Sequence, residues 1–156
     1  MSDYLLTLSE NKIARRVFKT LKLPIPLPQN LERPIGPWEE SPLRKRHVCM
    51  RLPNSSPYAQ TIRNAFERLG AQITDDESTG RAKQYALVFD ASDVSTVADL
   101  HHLYRFFHQR LASMEQSGRV LIVAPDYRHE IDPALCALRR GLLGFVKSLG
   151  KEIGRK

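Results

Sequence analysis

Apolar residues between positions 46 and 156 recur in two alternating patterns, short continuous runs and longer helical stripes. The runs are HVCMRL at 47–52, a short segment at 71–74, YALVFD at 85–90 and RVLIVAP at 119–125. Continuous apolar runs of this length are typical of strands that are buried on both faces, as in parallel sheets. The pattern therefore predicts four parallel strands with helices between them.

Three segments carry apolar side chains at helical spacing. The first follows Ser56 and Pro57, a typical cap and first-turn pair, and closes at Gly70; the second covers 97–115; the third starts at Asp132 and Pro133 and covers 133–153. The predicted stripes are Ile62, Ala65, Phe66 and Leu69 in the first, Leu100, Leu103, Tyr104, Phe107, Leu111 and Met114 in the second, and Leu135, Leu138, Leu142, Phe145 and Leu149 in the third.

The loop between the second and third runs defines the fold class more closely. It is polar, at 75–83, where a full dinucleotide-binding fold has a further helix and strand. We therefore expect an α/β protein with a truncated Rossmann-like or flavodoxin-like three-layer sandwich. Its sheet should hold about four parallel strands in the order 2-1-3-4.

The first 45 residues have a different character. A short amphipathic helix is predicted over 10–22, and six prolines follow between positions 24 and 42. Proline fixes φ and lacks an amide donor, so this stretch reads as an extended arm. We expect two parts, the N-terminal helix and Pro-rich arm at 1–45 and a degenerate Rossmann-like domain at 46–156.

Composition narrows the class of protein. The 156 residues are 42% hydrophobic, enough for one core, but no stretch is long and apolar enough to cross a bilayer. The start lacks the basic-then-apolar order of a signal peptide. Cys49 and Cys136 have neither metal-ligand spacing nor the density of a disulfide scaffold. A cytoplasmic protein without a membrane partner is expected.

The net charge of +7 raises the question of anionic partners. The run Arg44, Lys45 and Arg46 could contact nucleic acid or lipid headgroups, together with the basic N-terminal helix. A solvated flank of an apolar strand is the favoured interpretation, so a nucleic-acid partner is disfavoured. An independent anion-binding or nucleic-acid-binding module remains the alternative function.

Three segments resemble a known enzyme family. RRGLLGFVKSLGKEIGRK at 139–156 resembles the long helix that follows the catalytic Tyr-x-x-x-Lys pair of short-chain dehydrogenase/reductases. YALVFDAS and SGRVLIVAP resemble two strands of that family. MSDYLLTLSENKIARRVFKTLKLPIPLP, with FDASDV and LYRFFHQRL, is similar to the N-terminal flavodoxin-like domain of high-molecular-weight 3-oxoacyl-[acyl-carrier-protein] reductases.

The resemblance implies a function for the parent protein. It would be an NAD(P)-dependent reductase of 3-oxoacyl thioesters in fatty acid metabolism, with its catalytic domain and NAD(P)H in a C-terminal part of the same chain. The resemblance also implies a homodimer, or an interdomain contact, formed through helices 97–115 and 133–153; a thick helix layer over the sheet is the simpler alternative. Apolar side chains on more than one face of these helices, including Phe106, Leu143 and Val146, favour such an interface.

The departures from the family predict a domain without catalysis. Leu135 stands where the catalytic tyrosine belongs, and Arg139 stands where the lysine belongs. The serine position falls at Ala124 or Pro125, and no asparagine occurs in 97–115. Without the phenol, no side chain there can protonate a developing alkoxide. We predict no catalytic, cofactor-binding or metal-binding residues in this chain.

Cofactor binding is disfavoured by the turn RLPNSSPYAQ at 51–60. It contains no glycine, although a pyrophosphate needs close approach to backbone amides at a helix N-terminus. Asn54, Ser55 and Ser56 could form a phosphate cradle, but Pro53 and Pro57 remove two amides. We therefore expect no cofactor in this part of the protein.

Two further candidates have simpler interpretations. Asp90 could serve as a carboxylate at the ligand edge of the sheet, but a solvated or capping role is favoured. His101, His102 and His108 share a helix, but no cysteine or carboxylate lies at a spacing that would complete a metal-ligand set. Surface or interface histidines are the favoured interpretation.

Overall fold

The computed structural model describes residues 36–76 and 82–153, together with Asn11, Ile13, Arg16, Val17 and Thr20. It divides into two compact units, Gly36–Leu143 and the combination of Met1–Ile35 with Gly144–Lys156. Most of the predicted N-terminal helix and Pro-rich arm lies outside the described residues. Four of the isolated residues, from Ile13 to Thr20, are helical.

The unit Gly36–Leu143 contains a four-stranded parallel sheet in the order β2-β1-β3-β4, as predicted. The strands are β1 (His47–Arg51), β2 (Gln72–Asp75), β3 (Gln84–Asp90) and β4 (Met114–Val123). The helices are α1 (Ala59–Arg68), α2 (Leu100–Arg110) and α3 (Pro133–Ile153), with short 3-10 turns at Leu111–Ser113 and Tyr127–His129. The fold is thus α/β and Rossmann-like or flavodoxin-like.

Alternate residues of the central strands point to opposite faces of the sheet and build two apolar layers. On one face, buried residues of β1 and β3 pack with Ile62 and Phe66 of α1. On the other, Phe89 of β3 contacts Phe106 and Phe107 of α2 at ring-centroid distances of 5.5 and 6.0 Å. The expectation that Phe106 contributes surplus surface is wrong, because its side chain is 0% exposed.

Two predicted helix boundaries need correction. α1 begins at Ala59 rather than at the Ser56-Pro57 pair, although Ser56 Oγ still accepts a hydrogen bond from the Tyr58 amide at 3.1 Å. The helix predicted over 97–115 ends at Arg110, and Met114 belongs to β4, where it pairs with Gln84. Strand pairing therefore overrides the helical spacing at Met114.

β4 contains an irregular stretch near its start. Met114 pairs with Gln84 and Arg119 pairs with Ala86, so β4 bulges between these two pairs. Ser117 has φ of 61°, and a Cβ on Gly118 would lie 2.7 Å from Met114 Cε and 3.0 Å from Glu115 O. A side chain at position 118 would therefore crowd the Glu115 carbonyl and displace the end of the Met114 side chain.

α3 starts as predicted. Pro133 is its first residue, and Asp132 Oδ1 accepts a hydrogen bond from the Ala134 amide at 2.9 Å.

Among the described helices, none combines the length and apolar character that a bilayer span requires.

Thr96 and Asp99 cap the turn that leads into α2. The Thr96 amide donates to Asp99 Oδ2 at 2.8 Å, and the Asp99 amide donates to Thr96 Oγ1 at 3.4 Å. The Ser95 amide also donates to Asp99 Oδ2, at 3.0 Å. This reciprocal pairing gives partners to backbone amides of the turn that precedes α2.

The cap predicts an acid-sensitive helix start. Hydrogen bonds from the backbone of Ser95, then from that of Thr96, lower the pKa of Asp99 from 3.8 to about 2. Because the folded pKa is depressed, this contribution to stability is present above pH 3.8 and is lost as the pH falls towards 2. Carboxyl-carbon NMR should give a midpoint for Asp99 near 2, and Thr96→Val should raise it. A wild-type midpoint near 3.8 would contradict the cap.

Candidate functional site

Four polar residues meet at the carboxyl edge of the sheet, where parallel α/β proteins bind their ligands. β1 ends at Arg51 and the neighbouring β3 ends at Asp90. Ser56 belongs to the turn before α1, and Asp93 follows β3 in the loop towards α2. We name Arg51, Ser56, Asp90 and Asp93 the carboxyl-edge cluster.

Arg51 binds Asp93 through both terminal nitrogens. Nη1 lies 2.6 Å from Asp93 Oδ1, and Nη2 lies 2.6 Å from Oδ2. Nη1 also donates to the Asp90 carbonyl oxygen at 2.9 Å, and the guanidinium carbon lies 4.9 Å from the centre of the Phe89 ring. Both side chains of the ion pair are largely buried, so this bidentate geometry holds the loop after β3 against β1.

Asp90 is completely buried. Its Oδ1 accepts a hydrogen bond from the Ser92 amide at 2.9 Å, and its Oδ2 accepts one from the Ser56 hydroxyl. The first bond confirms the capping interpretation, whereas the solvated interpretation is wrong. Asp90 therefore ties the turn before α1 to the end of β3.

The amides near the start of α1 are mostly used within the chain. The Ser56 amide donates to Pro53 O at 2.9 Å, and the Ala59 amide donates to Ser56 O at 3.4 Å. Pro53 and Pro57 have no amide to offer. An anion placed in this turn would also face the Asp90 carboxylate. Asn54 and Ser55 are exposed, and Ser56 is already bonded to Asp90 and Tyr58.

Arg139 and Leu135, which the resemblance places at two catalytic positions, take part in the fold around α3. Arg139 Nη1 donates to Glu130 Oε2, and Glu130 Oε1 accepts from the Ile131 and Asp132 amides at 3.0 and 3.2 Å. Arg139 thus fastens the loop before α3 to the helix. Leu135 is half-buried in α3 and has no polar side-chain atom.

The serine position offers no nucleophile or donor. Ala124 and Pro125 directly follow β4, and neither side chain carries a hydroxyl. The apolar run predicted as a strand over 119–125 includes both residues, whereas β4 starts earlier, at Met114, and ends at Val123. Their chemistry cannot replace a catalytic serine.

The three histidines of α2 are all exposed. The His101 and His102 rings lie 6.4 Å apart, and the His108 ring stacks on Tyr104 at 5.0 Å. Within residues 36–76 and 82–153, no three His, Cys, Asp or Glu side chains are grouped so that they could hold a metal ion.

A second buried polar group lies on the α2 side of the sheet. Arg110 Nε donates to Cys49 Sγ at 3.0 Å, and Arg110 Nη1 pairs with Asp76 Oδ1 at 2.9 Å. Burial raises the pKa of the Cys49 thiol, although the Arg110 hydrogen bond acts in the opposite direction. Cys49 and Cys136 are both free cysteines. The Cys49 thiol therefore stays protonated and serves packing.

Sequence reasoning missed Arg51, Asp93 and Arg110. A usable signal existed for Arg51, since a charged residue stands at the end of an apolar run and must find a partner when the run is buried. Asp93 and Arg110 lie 42 and 61 residues from their partners Arg51 and Cys49, so no local spacing connects them.

Comparison of the chain with known protein families and with curated proteins finds no match. The observations on the described residues therefore carry the functional interpretation.

Proposed function

We propose that this chain is a non-catalytic assembly domain of a larger NAD(P)-dependent 3-oxoacyl-thioester reductase. The observation that supports it best is the carboxyl-edge cluster. Arg51, Ser56 and Asp90 use their hydrogen-bonding groups on one another and on the loop after β3, at the edge where such folds bind ligands. A domain whose own side chains occupy its ligand edge in this way would act through its exposed surface, in assembly, and would not carry a catalytic site.

The dimer through 97–115 and 133–153 belongs to the same proposal. Val97 and Tyr104 are 78% and 61% exposed, and Leu143 at 43% adds apolar surface on α3. Exposed apolar and aromatic side chains of this kind are typical of interfaces. The catalytic domain in the same chain would be the second partner, and the reduction with NAD(P)H would take place there.

The test has a catalytic part and an assembly part. The purified chain should show no thermal shift with NADPH, NADH or FMN, and no NADPH oxidation with acetoacetyl-CoA. A nucleotide-dependent shift would overturn the non-catalytic proposal.

The coding sequence downstream should contain a glycine-rich turn and a Tyr-x-x-x-Lys pair, and a stop codon directly after Lys156 would contradict the parent reductase.

For assembly, sedimentation should give a dimer that Tyr104→Glu dissociates. Thr61→Glu is the matched control, because Thr61 is exposed on α1, outside the proposed interface. A monomeric wild-type chain, or equal effects of the two substitutions, would remove the dimer from the proposal.

A further inference from the structure

The amino edge of the sheet carries basic residues just before three adjacent strands. Arg44 and Lys45 precede β1, Arg68 ends α1 shortly before β2, and Lys83 precedes β3. The strands follow one another as β2-β1-β3, and neighbouring strands lie about 4.8 Å apart. The four residues therefore form a row along this edge, which we name the basic row.

Backbone contacts hold the first half of the row in place. The Leu43 amide donates to Leu69 O at 2.9 Å, which joins the turn before β1 to the end of α1. A Cβ on Gly70, whose φ is 82°, would lie 3.5 Å from Arg44 Cα. Lys45 takes a left-handed φ of 67° within the same turn. Arg44 and Lys45 are thus fixed beside Arg68 by the fold.

The charges of the basic row are not neutralised within residues 36–76 and 82–153. Arg44, Lys45, Arg68 and Lys83 are all exposed, and none forms an ion pair with a described residue. Arg46 differs, because it pairs with Glu115 at 2.7 Å and lies over the Tyr85 ring at 4.8 Å. The four side chains of the basic row therefore face solvent, whereas Arg46 contributes to the fold through its contacts with Glu115 and Tyr85.

Apolar groups accompany the row. Leu69 is 37% exposed beside Arg68, and Trp38 is 86% exposed. Trp38 precedes Ser41 by three residues, which limits their Cα separation to about 11 Å. A Cβ on Gly70 would lie 3.2 Å from Ser41 Cβ, so Trp38 lies near the row. Tryptophan and arginine are both enriched at protein interfaces and among the residues that contribute most of the binding energy.

Carboxylates in the same region decide between classes of partner. Glu39, Glu40 and Glu67 are exposed next to Trp38, Ser41 and Arg68 in sequence. A continuous chain of phosphates or a plane of anionic headgroups would meet these carboxylates as well as the cations. A protein surface places its charges individually, so it can pair with the cations and avoid the glutamates.

We propose that the amino edge docks a protein partner with an acidic surface. Carboxylates of the partner pair with Arg44, Lys45, Arg68 and Lys83, while its apolar side chains cover Trp38 and Leu69. This surface is distinct from the helices of the proposed dimer.

The test uses a labelled helical peptide of about 20 residues built from Glu, Leu and Ala. Fluorescence anisotropy should show binding that weakens with salt, and the same peptide with Lys for each Glu should not bind. Amide NMR shifts should centre on Leu43, Lys45, Leu69 and Lys83. Absence of peptide binding at low salt would overturn the proposal.

Matched variants locate the surface. Arg44→Gln with Lys45→Gln should raise the peptide Kd about 10-fold, close to 1.4 kcal/mol, without lowering the thermal midpoint. Asn54→Asp with Ser55→Asp changes the net charge equally at the opposite edge and should leave the Kd within about twofold. Equal losses in both variants would overturn the proposal, and so would tighter binding of a single-stranded oligonucleotide or of anionic vesicles than of the peptide.

Discussion

Replacing Asp90 with alanine is expected to destabilise the domain by about 2–4 kcal/mol. The Asp90 carboxylate is fully buried and accepts hydrogen bonds from the Ser56 hydroxyl and the Ser92 amide. Alanine removes both acceptors, so these donors are left inside the protein without partners, and it leaves a cavity beside Arg51. Urea unfolding followed by circular dichroism measures the loss.

Two further variants make the Asp90 result specific. Asp90→Asn keeps an oxygen for the Ser92 amide and should cost about half as much, about 1–2 kcal/mol. Glu67→Ala removes a carboxylate from the exposed face of α1 and should change stability by about 0.5 kcal/mol or less. If Asp90→Ala lies within the same range as Glu67→Ala, the cluster does not hold the edge together.

The carboxyl-edge cluster also uses one of the protein's positive charges within the chain. Arg51 is shared between the Asp93 carboxylate and the Asp90 carbonyl, so its charge is used inside the chain. The charge of Arg51 is therefore not available to an anionic ligand at the carboxyl edge. The exposed cations Arg44, Lys45, Arg68 and Lys83 lie at the amino edge instead.

The strand order could be predicted because the spacing of apolar residues along a segment indicates which of its faces are buried. The runs around Val48 and Leu87 are continuous and buried in the structure, which requires cover on both faces and therefore parallel strands with helices between them. The run around Val120 is equally apolar, but β4 lies at the edge of the sheet and none of its residues is buried. The apolar spacing assigns Met114 to the helix before β4, because the helical spacing of apolar residues continues by coincidence into that strand. Only pairing with Gln84 decides the outcome there.

The polar contacts of the site could be predicted only in part. Asp90 stood out as a charged residue at the end of an apolar run, and its bond to the Ser92 amide is a local turn that spacing can suggest. The Ser56 bond joins residues 34 positions apart, and the Arg51 bond to Asp93 joins residues 42 apart. Contacts at this separation follow from sheet topology and not from local pattern.

Replacing Phe89 with alanine is expected to have the largest effect, about 3–5 kcal/mol, because a buried aromatic ring leaves a cavity that the domain cannot refill. Phe89 is 0% exposed and contacts the rings of Phe106 and Phe107, while the Arg51 guanidinium lies over it at 4.9 Å. Phe89→Leu should cost less, and Thr61→Ala, on the exposed face of α1 and outside the proposed interface, should cost about 0.5 kcal/mol or less.

Phe89 also connects the core to the carboxyl-edge cluster. Substituting Phe89 should therefore change the contribution that Arg51 makes to the stability of the domain. In a double-mutant cycle of Phe89→Leu with Arg51→Met, we expect a coupling of about 1 kcal/mol, from the cation over the ring and from shared packing. Additive losses within about 0.3 kcal/mol would mean that the ring supports only the helices. A coupling energy of about 1 kcal/mol would mean that Phe89, which packs in the core, also holds Arg51 in its position within the carboxyl-edge cluster.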